Sequence, residues 1–410
     1  MDVRIAPSEY SGFVEAISSK SLAHRALICA SLADSVSFVR LNTTCADIDA
    51  TSECLMALGA GIERTAEVTR VEPIRKTADG ELFCNESGST LRFLLPVAAA
   101  LKDESVFTAA GRLPLRPLSP LKEEMERHGV TFSSSFPLKI TGRLECGEYN
   151  LSGSVSSQFI SGLLFALPLL PGDSVINILP PFESKPYVDM TVNMLRTFGI
   201  EVTEGINSYS VKGNQQYKSA DITVEGDWSN MTYFLALGAK VSGLKLSSVQ
   251  GDRKFLDIMS DFGAAIDYKG GFVSLKGEQL HGTNIDAKDI PDLVPLLAVL
   301  AATASGKTVI YNAGRLVLKE SNRLVSTYEM LRNLGADITL TDDGFIINGK
   351  EFLDGGEVDS FLDHRIVMAA AVASKKCKGE VLIKNAHAVA KSYPTFFEDF
   401  NSIGGNAICL

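Results

Sequence analysis

The sequence lacks several features that would place the protein in a specialised class. Its seven cysteines include no C-x-x-C pair, which argues against a disulfide framework and against a structural zinc site. The apolar runs LLFALPLL and LVPLLAVLAA are far shorter than the roughly 18 residues that a membrane span requires. No apolar run follows a basic stretch at the start, so we predict no secretory signal and a cytoplasmic protein.

Positive charge is also scarce, since 39 Lys and Arg stand against 49 Asp and Glu and give a formal net charge of −10. A nucleic-acid or anionic-membrane partner would call for a basic face, so we expect neither. The sequence has no Walker A loop, no G-x-G-x-x-G after a strand, and no His, Cys and carboxylate set with metal-ligand spacing. We therefore expect no cofactor and no metal.

The chain does have the length and composition of a globular protein. Its 410 residues suit two domains of about 200 residues each. The hydrophobic content of 45% and charged content of 21% are typical of a folded chain. We expect a monomer that acts on small molecules.

One phrase recurs six times: an amphipathic helix end, a glycine and a β-prone stretch. The six glycines lie 64 to 72 residues apart and are Gly59, Gly129, Gly199, Gly263, Gly335 and Gly404. A glycine after the last helical turn supplies a left-handed cap, so each one marks the end of a helix. The regular spacing indicates six copies of one structural repeat.

The segment between two glycines has a constant order: a hairpin, a polar turn that opens an apolar helix, a short strand and an amphipathic helix. The apolar helices are predicted in KSLAHRALICASLA, SGSTLRFLLPVAAA, SSQFISGLLFALPLL, DWSNMTYFLALGA, IPDLVPLLAVLAATA and DHRIVMAAAVAS, and short strands in SVINIL, LKLSSV, TVIYNA and EVLIKN. Because these helices are apolar most of the way round, we expect them to be buried. The repeat reads βαβαββ, and the predicted fold class is α/β.

The sixth repeat reaches the C-terminus without a hairpin, whereas the N-terminus offers one in DVRIA and GFVEAI. We infer that the first residues complete the last repeat. The prediction is two domains of three βαβαββ repeats each, residues 19–226 and residues 1–18 plus 227–410. The chain crossings near Ser18 and Asp227 would form a hinge on which the domains close.

Unusual polar residues fall in two matching places of the repeat. At the start of the apolar helix stand Lys20, Ser21, Arg25, Gly88, Ser89, Thr90, Arg92, Ser156, Ser157, Gln158, Asp292, Asp363, His364 and Arg365. At the start of the amphipathic helix stand Arg116, Ser184, Lys185, Tyr187, Lys319, Glu320, Arg323 and Lys391. The free N–H groups and partial positive charge of a helix start favour anion binding.

Each of these residues alone has an ordinary explanation. A serine at a helix start is usually an N-cap, and a K-E-x-x-R sequence is usually a solvated ion pair. The functional hypothesis depends on their recurrence at equivalent positions of the repeat. Clustered Arg and Lys bind phosphate and carboxylate, and Asp292 and Glu320 among them can divide general-base and general-acid work. The pattern indicates cofactor-free group transfer between two phosphorylated or carboxylated small molecules.

Eight short motifs follow one another from Lys20 to Pro394: SKSLAHRA, SGSTLRFL, SSQF, SKPY, IPD, LKESNRL, DHR and AKSYP. In this order they resemble the 5-enolpyruvylshikimate-3-phosphate synthase family over nearly the whole chain. The resemblance implies two domains of three βαβαββ units. It also implies transfer of the carboxyvinyl group of phosphoenolpyruvate to the 5-hydroxyl of shikimate 3-phosphate, with release of phosphate, in the route to chorismate and the aromatic amino acids.

The resemblance implies a role for each matching residue. Shikimate 3-phosphate, bound mainly by residues 19–226, would contact Lys20, Ser21, Arg25, Ser156, Ser157, Gln158, Ser184, Tyr187, Asp292 and Lys319. Phosphoenolpyruvate would contact Lys20, Gly88, Arg116, Gln158, Arg323, Arg365 and Lys391. Asp292 would take the proton of the 5-hydroxyl, Glu320 would protonate the methylene carbon, and Lys20 would help to discharge phosphate.

The chain departs from the common family pattern at Glu86, where many members have Asn, and at His24, Arg315 and Asn322. One alternative is UDP-N-acetylglucosamine 1-carboxyvinyltransferase, whose family typically has Asn after the first Lys and a reactive Cys on a loop over the site. Here Ser21 follows Lys20, and the loop TAAGRLPLRPLSP has no cysteine. A non-enzyme alternative, a sliding-clamp-like ring, would line a hole with Lys and Arg along helix faces.

Overall fold

The computed structural model describes residues 1–65, 68–277 and 279–410. The chain divides into two compact units, Met1–Ile17 with Glu225–Leu410 and Ser18–Val224. We call them unit 1 and unit 2. The points at which the sequence predicts that the chain passes from one domain to the other lie near Ser18 and Asp227. Each unit has its own hydrophobic core, and the two cores are separate clusters of buried side chains.

Helices of two kinds alternate along the described part of the chain. They are α1 (Lys20–Ser31), α2 (Ala46–Ala57), α3 (Gly88–Leu101), α4 (Leu121–Arg127), α5 (Ser157–Ala166), α6 (Lys185–Thr197), α7 (Trp228–Leu237), α8 (Phe255–Asp261), α9 (Val294–Ala302), α10 (Arg323–Asn333), α11 (His364–Ala373) and α12 (Phe396–Ser402). The odd-numbered helices are the six predicted apolar ones, and almost every residue in them is buried. The even-numbered helices bury one face, as their amphipathic sequences predict.

Each even-numbered helix ends at one of the six repeating glycines. All six have positive φ, from 76° at Gly199 to 113° at Gly59. A residue without a Cβ adopts this left-handed conformation at little cost, and the chain can then turn directly into a strand. The prediction that these glycines end helices is confirmed.

The strands are short. They are β1 (Val3–Ile5), β2 (Phe13–Glu15), β3 (Ser37–Arg40), β4 (Gly61–Arg64), β5 (Thr69–Glu72), β6 (Leu82–Phe83), β7 (Glu104–Thr108), β8 (Thr131–Phe132), β9 (Leu138–Thr141), β10 (Glu148–Ser152), β11 (Ser174–Leu179), β12 (Val202–Glu204), β13 (Ser208–Val211), β14 (Asp221–Thr223), β15 (Lys240–Ser242), β16 (Ala265–Lys269), β17 (Phe272–Lys276), β18 (Asn284–Asp286), β19 (Lys307–Tyr311), β20 (Asp337–Thr341), β21 (Gly344–Asn348), β22 (Gly356–Asp359), β23 (Val381–Lys384) and β24 (Ile408–Cys409).

The described strands form six four-stranded sheets, three in each unit. In unit 2 the orders are β14-β3-β5-β4, β6-β7-β9-β8 and β10-β11-β13-β12; in unit 1 they are β16-β17-β15-β2, β18-β19-β21-β20 and β22-β23-β1-β24. Every sheet combines one parallel pair with two antiparallel pairs, as a βαβ crossover followed by a hairpin requires. The α/β fold built from repeats is therefore confirmed.

The prediction for the N-terminus is wrong in one respect. β1 does complete the last repeat, where it lies between β23 and β24. β2, however, does not pair with β1 as a hairpin and instead runs parallel to β15 in the fourth repeat. Although β2 directly precedes α1, the strand that pairs in parallel with β3 in the first repeat is β14. Each unit thus closes with a strand from a distant part of the chain, which periodicity within the sequence does not reveal.

Two further expectations need correction. LKLSSV is not a strand: the fourth repeat uses Lys240–Ser242, which follows the helix cap at Gly238, and LKLSSV contains a turn at Leu246 and Ser247. Several charged residues predicted at amphipathic helix starts lie instead in or just after 3-10 turns. Arg116 follows the turn Leu113–Leu115, because Pro117 and Pro120 delay the start of α4.

Candidate active site

In unit 1 a cluster of charged side chains surrounds Arg323. This guanidinium is 1% exposed and contacts three carboxylates. Nη1 donates to Asp292 Oδ1 at 2.7 Å and Nη2 to Glu320 Oε2 at 2.7 Å. Nε donates to Asp363 Oδ2 at 2.8 Å. A buried guanidinium needs such partners, since an unpaired charge in the interior is costly.

Local helix capping places these groups side by side. The Asn322 side chain accepts a hydrogen bond from the backbone of Val325, so α10 begins at Arg323. Asp363 caps α11 by accepting from the backbone N–H of Arg365 at 2.9 Å. One carboxylate therefore caps a helix and also holds the first residue of another. The capping residues are thus part of the charged cluster and not separate from it.

Asp292 is the carboxylate on which the cations converge. Its Oδ1 accepts hydrogen bonds from Arg323 and from Lys319 Nζ at 3.1 Å, and its Oδ2 lies 3.7 Å from Arg365 Nη2. Burial acts to raise the pKa of Asp292, but Lys319, Arg323 and Arg365 together hold it well below its ordinary value of 3.8. Burial in turn lowers the pKa of Lys319. Asp292 is therefore an anion held inside a cage of cations.

Two further cations of unit 1 lie at the start of α11. Arg365 is 3% exposed; its Nη2 donates to Ser229 Oγ at 2.7 Å and its Nη1 to Ser229 O at 3.1 Å. Lys391, at the end of the 3-10 turn Ala386–Lys391, donates to the carbonyl of Leu362 at 2.9 Å. The start of this helix thus gathers positive charge, as expected of an anion site.

In unit 2, Arg25 links α1 to α6. Its Nη2 donates to the carbonyl of Tyr187 at 2.7 Å, its Nη1 to the carbonyl of Ser21 at 2.6 Å, and its Nε to Thr191 Oγ1 at 2.8 Å. Burial lowers the pKa of Arg25 to about 10, so the side chain stays charged near neutral pH. Ser184 caps α6 from a left-handed conformation with φ of 54°. The predicted residues Ser21 and Arg25 on α1 and Ser184 and Tyr187 at the start of α6 are therefore neighbours.

A second group in unit 2 joins α3 to α5. Arg92 Nη1 donates to Gln158 Oε1 at 3.0 Å, and Gln158 Nε2 donates to Ser89 Oγ at 3.0 Å. A Cβ added to Gly88 would lie 2.6 Å from Arg92 Nη1 and 2.9 Å from Arg116 Nη1. The two guanidinium groups therefore approach the first residue of α3, and a side chain at this position would displace them.

Some predicted residues have other principal contacts. Ser156 caps α5 by accepting from the backbone N–H of Gln158, and Ser157 is buried beside it. Lys20 pairs with Asp47 at 2.7 Å, a carboxylate outside the predicted set. The structure thus assembles most of the predicted residues into groups within each unit. Their contacts with substrates stay predictions.

Sequence reasoning missed Ser229 and Asp252. Ser229 contacts Arg365, and its hydroxyl donates to Asp252. A signal existed, because Ser229 stands two residues after the N-cap Asp227. Arg365 and Gln158 occupy the same place in their own helices, two residues after Asp363 and Ser156. Asp252 lies on the 3-10 turn Gly251–Lys254, which precedes α8 as the turns near Arg116, Lys319 and Lys391 precede α4, α10 and α12, so the repeat offered a signal here too.

No group of three or more His, Cys, Asp or Glu side chains in residues 1–65, 68–277 and 279–410 could hold a metal ion. Over the same residues, no helix has the length and apolar character needed to cross a membrane. The chemistry that the site itself offers is a caged carboxylate, a second carboxylate beside it, and cations at helix starts. These groups can bind anions and move protons.

Comparison with known proteins identifies similar chains. Residues 5–400 match the family described as EPSP synthase (3-phosphoshikimate 1-carboxyvinyltransferase). A Clostridium kluyveri protein named 3-phosphoshikimate 1-carboxyvinyltransferase is 43% identical, over 98% of this chain and 97% of its own. The structure of EPSP synthase from Acinetobacter baumannii aligns over 100% of both chains at 25% identity, with a TM-score of 0.82. The enolpyruvyl transferase NikO from Streptomyces tendae shares the fold, with a TM-score of 0.78 and 18% identity over 99% of this chain and 98% of its own.

Proposed function

Because the chain belongs to the EPSP synthase family, we propose that its charged helix starts transfer the carboxyvinyl group of phosphoenolpyruvate to the 5-hydroxyl of shikimate 3-phosphate, releasing phosphate. The reaction belongs to the route to chorismate and the aromatic amino acids. The alternative, a UDP-N-acetylglucosamine 1-carboxyvinyltransferase, is not favoured, because the similar proteins carry the other name.

The observation that carries the mechanism is the caged carboxylate of Asp292. As long as only protein carboxylates offset Lys319, Arg323 and Arg365, the pKa of Asp292 stays well below 3.8 and the group is a weak base. An anionic substrate that shares these cations would weaken their hold on Asp292 and raise its pKa. Asp292 then becomes an effective base when the substrates are in place, and it takes the proton of the 5-hydroxyl.

Glu320 donates the proton that the methylene carbon of phosphoenolpyruvate receives. Its Oε2 accepts a hydrogen bond from Arg323 Nη2, so Glu320 and Asp292 contact the same guanidinium. Protonation of the methylene carbon of phosphoenolpyruvate makes the neighbouring carbon electrophilic, and the 5-hydroxyl oxygen adds to it. The C–O bond to phosphate then breaks, the Glu320 carboxylate takes a proton back from the new methyl group, and the double bond is restored. Arg323 is thus a common positioning group for acid and base.

The remaining roles divide by substrate. We propose that shikimate 3-phosphate contacts Lys20, Ser21, Arg25, Ser156, Ser157, Gln158, Ser184, Tyr187, Asp292 and Lys319. Phosphoenolpyruvate contacts Lys20, Gly88, Arg116, Gln158, Arg323, Arg365 and Lys391. Preorganised cations stabilise the leaving phosphate better than water does, because they need not reorient as charge develops. Lys20 assists that departure.

Three further features belong to the proposal. The enzyme acts as a monomer in the cytoplasm, where phosphorylated metabolites are retained, and it uses no cofactor, because acid–base chemistry suffices. The domains close on their substrates, which would keep water from the cationic intermediate. Small-angle scattering with and without both substrates tests closure, and an unchanged profile would refute it.

The experiment that tests the function is phosphate release. We expect release only when shikimate 3-phosphate and phosphoenolpyruvate are both present, with a product that carries the carboxyvinyl group on the 5-oxygen. A reaction with UDP-N-acetylglucosamine and phosphoenolpyruvate is the control. Turnover in the control and none with shikimate 3-phosphate would overturn the proposal.

A further inference from the structure

A buried carboxylate that the proposed reaction does not use lies one side chain away from Arg365. Asp252, on the 3-10 turn Gly251–Lys254, is 4% exposed. Its Oδ2 accepts a hydrogen bond from Ser229 Oγ, and the same Ser229 Oγ accepts from Arg365 Nη2 at 2.7 Å. A continuous chain of hydrogen bonds therefore runs from Asp252 through Ser229 to Arg365. Arg365 in turn lies 3.7 Å from Asp292.

The direction of these hydrogen bonds is fixed by chemistry. A serine hydroxyl has one proton to donate and two lone pairs. Because the Asp252 carboxylate can only accept while it is ionised, the proton of Ser229 points to Asp252 and a lone pair points to Arg365. The carbonyl of Ser229 accepts from the other terminal nitrogen, Nη1, at 3.1 Å. Nη1 also donates to Asn230 Oδ1 at 3.4 Å. Hydrogen bonds from both terminal nitrogens therefore set the orientation of the guanidinium, and Ser229 accepts one from each.

The charge at this position is costly. The pKa of Asp252 is raised to about 6, chiefly by burial and further by the nearby carboxylates of Asp292 and Asp227. The hydrogen bond from Ser229 and the charge of Arg365 act in the opposite direction but do not offset this rise. An asparagine would fill the same space and accept the same hydrogen bond without burying a charge. A hydrogen bond that only connected the turn to α7 would therefore not need a carboxylate. A charge-assisted hydrogen bond that orients Arg365 does need one.

We propose that Asp252 is a positioning residue: through the hydroxyl of Ser229 it holds the guanidinium of Arg365 in the orientation that binds phosphoenolpyruvate. This inference rests on the proposed function, in which Arg365 contacts that substrate. Asp252 itself touches neither substrate. Its loss should therefore weaken the binding of phosphoenolpyruvate selectively and leave the catalytic acid and base in place.

The test compares steady-state kinetics of the wild-type protein with Asp252→Asn, Ser229→Ala and the double variant. Replacing a charge-assisted hydrogen bond by a neutral one costs about a factor of ten, so we expect Asp252→Asn to raise KM for phosphoenolpyruvate about tenfold. KM for shikimate 3-phosphate and kcat should change by less than about threefold. Since both residues act through one hydroxyl, the double variant should bind no worse than Ser229→Ala alone.

Two controls keep the test decisive. Asp257→Asn removes an exposed carboxylate five residues further along, on α8, and should leave all constants unchanged. Ser229→Thr keeps the hydroxyl and should bind phosphoenolpyruvate much as the wild type does. An unchanged KM for phosphoenolpyruvate in folded Asp252→Asn, or equal losses for both substrates, overturns the positioning role alone. A wild-type protein without turnover overturns the proposed function and this inference together.

Discussion

Replacing Asp292 by asparagine is the sharpest test of the mechanism. Asparagine keeps the size of the side chain and an oxygen that can accept from Lys319 and Arg323, but it cannot take a proton. We expect the variant to bind both substrates and to turn over very slowly. Arg323 keeps Asp363 and Glu320 as partners, so the protein should fold.

The magnitude follows from the role. Proton transfer by a positioned base contributes a factor of about 10² to 10⁴. We therefore expect kcat to fall about a thousandfold, which corresponds to about 4 kcal/mol in the activation free energy. Because the substitution removes a negative charge that offsets three cations, KM for the anionic substrates should stay the same or fall. A large loss in kcat without a rise in KM is the signature.

The assay is continuous phosphate release at saturating concentrations of both substrates, with circular dichroism to confirm the fold. Asp342→Asn, on the exposed turn between β20 and β21, is the matched control and should keep normal rates. A kcat within threefold of wild type would refute the assignment of the base. If kcat were preserved and KM for both substrates rose, Asp292 would be a binding residue instead.

Three further predictions follow from the geometry and the pKa directions. In plots of rate against pH, the acidic limb of kcat should lie at higher pH than the acidic limb of kcat/KM, because bound anions raise the pKa of Asp292. Limbs at the same pH would contradict activation of Asp292 by the substrates. Gly88→Ala should raise KM for phosphoenolpyruvate about tenfold and spare that for shikimate 3-phosphate, because the added methyl group displaces the guanidinium groups of Arg92 and Arg116. Equal effects on both KM values would contradict the assigned pocket. Asp252 has a folded-state pKa near 6 against an ordinary value of 3.8, so its burial favours folding only below that range and the benefit is lost as pH rises through 6. In denaturant titrations the free energy of unfolding of Asp252→Asn should therefore exceed that of the wild type by about 3 kcal/mol above pH 6, with no difference below pH 3.8. A difference that does not depend on pH would contradict the buried charge.

Much of the fold was predictable from local patterns. Helix ends, left-handed glycines and apolar helices are short-range features, since each depends on a few neighbouring residues. The predicted buried helices and the six glycines are found accordingly. β2 and β14 were placed wrongly or left out because their partners are more than 180 residues away, at β15 and β3. Nothing in their own sequence specifies those partners.

The site was predictable to a lesser extent. Charged residues at equivalent helix starts, such as Arg92 and Arg365, stood out because an apolar helix has no other need for them. Asp252 did not stand out, because its link to Arg365 passes through the hydroxyl of Ser229, a contact that depends on packing between α7 and a 3-10 turn. Relayed contacts of this kind depend on packing between repeats and leave no local pattern.

The sequence by itself determined the six repeats, the helix starts that carry charge and the family to which the chain belongs, since these follow from periodicity and ordered motifs. The tertiary structure alone decided which charges meet. Asp292 became a carboxylate caged by Lys319, Arg323 and Arg365 because the starts of α9 and α10, in one repeat, converge with the start of α11, in the next. The strength of a base depends on the charges within a few ångströms, and only folding brings these together.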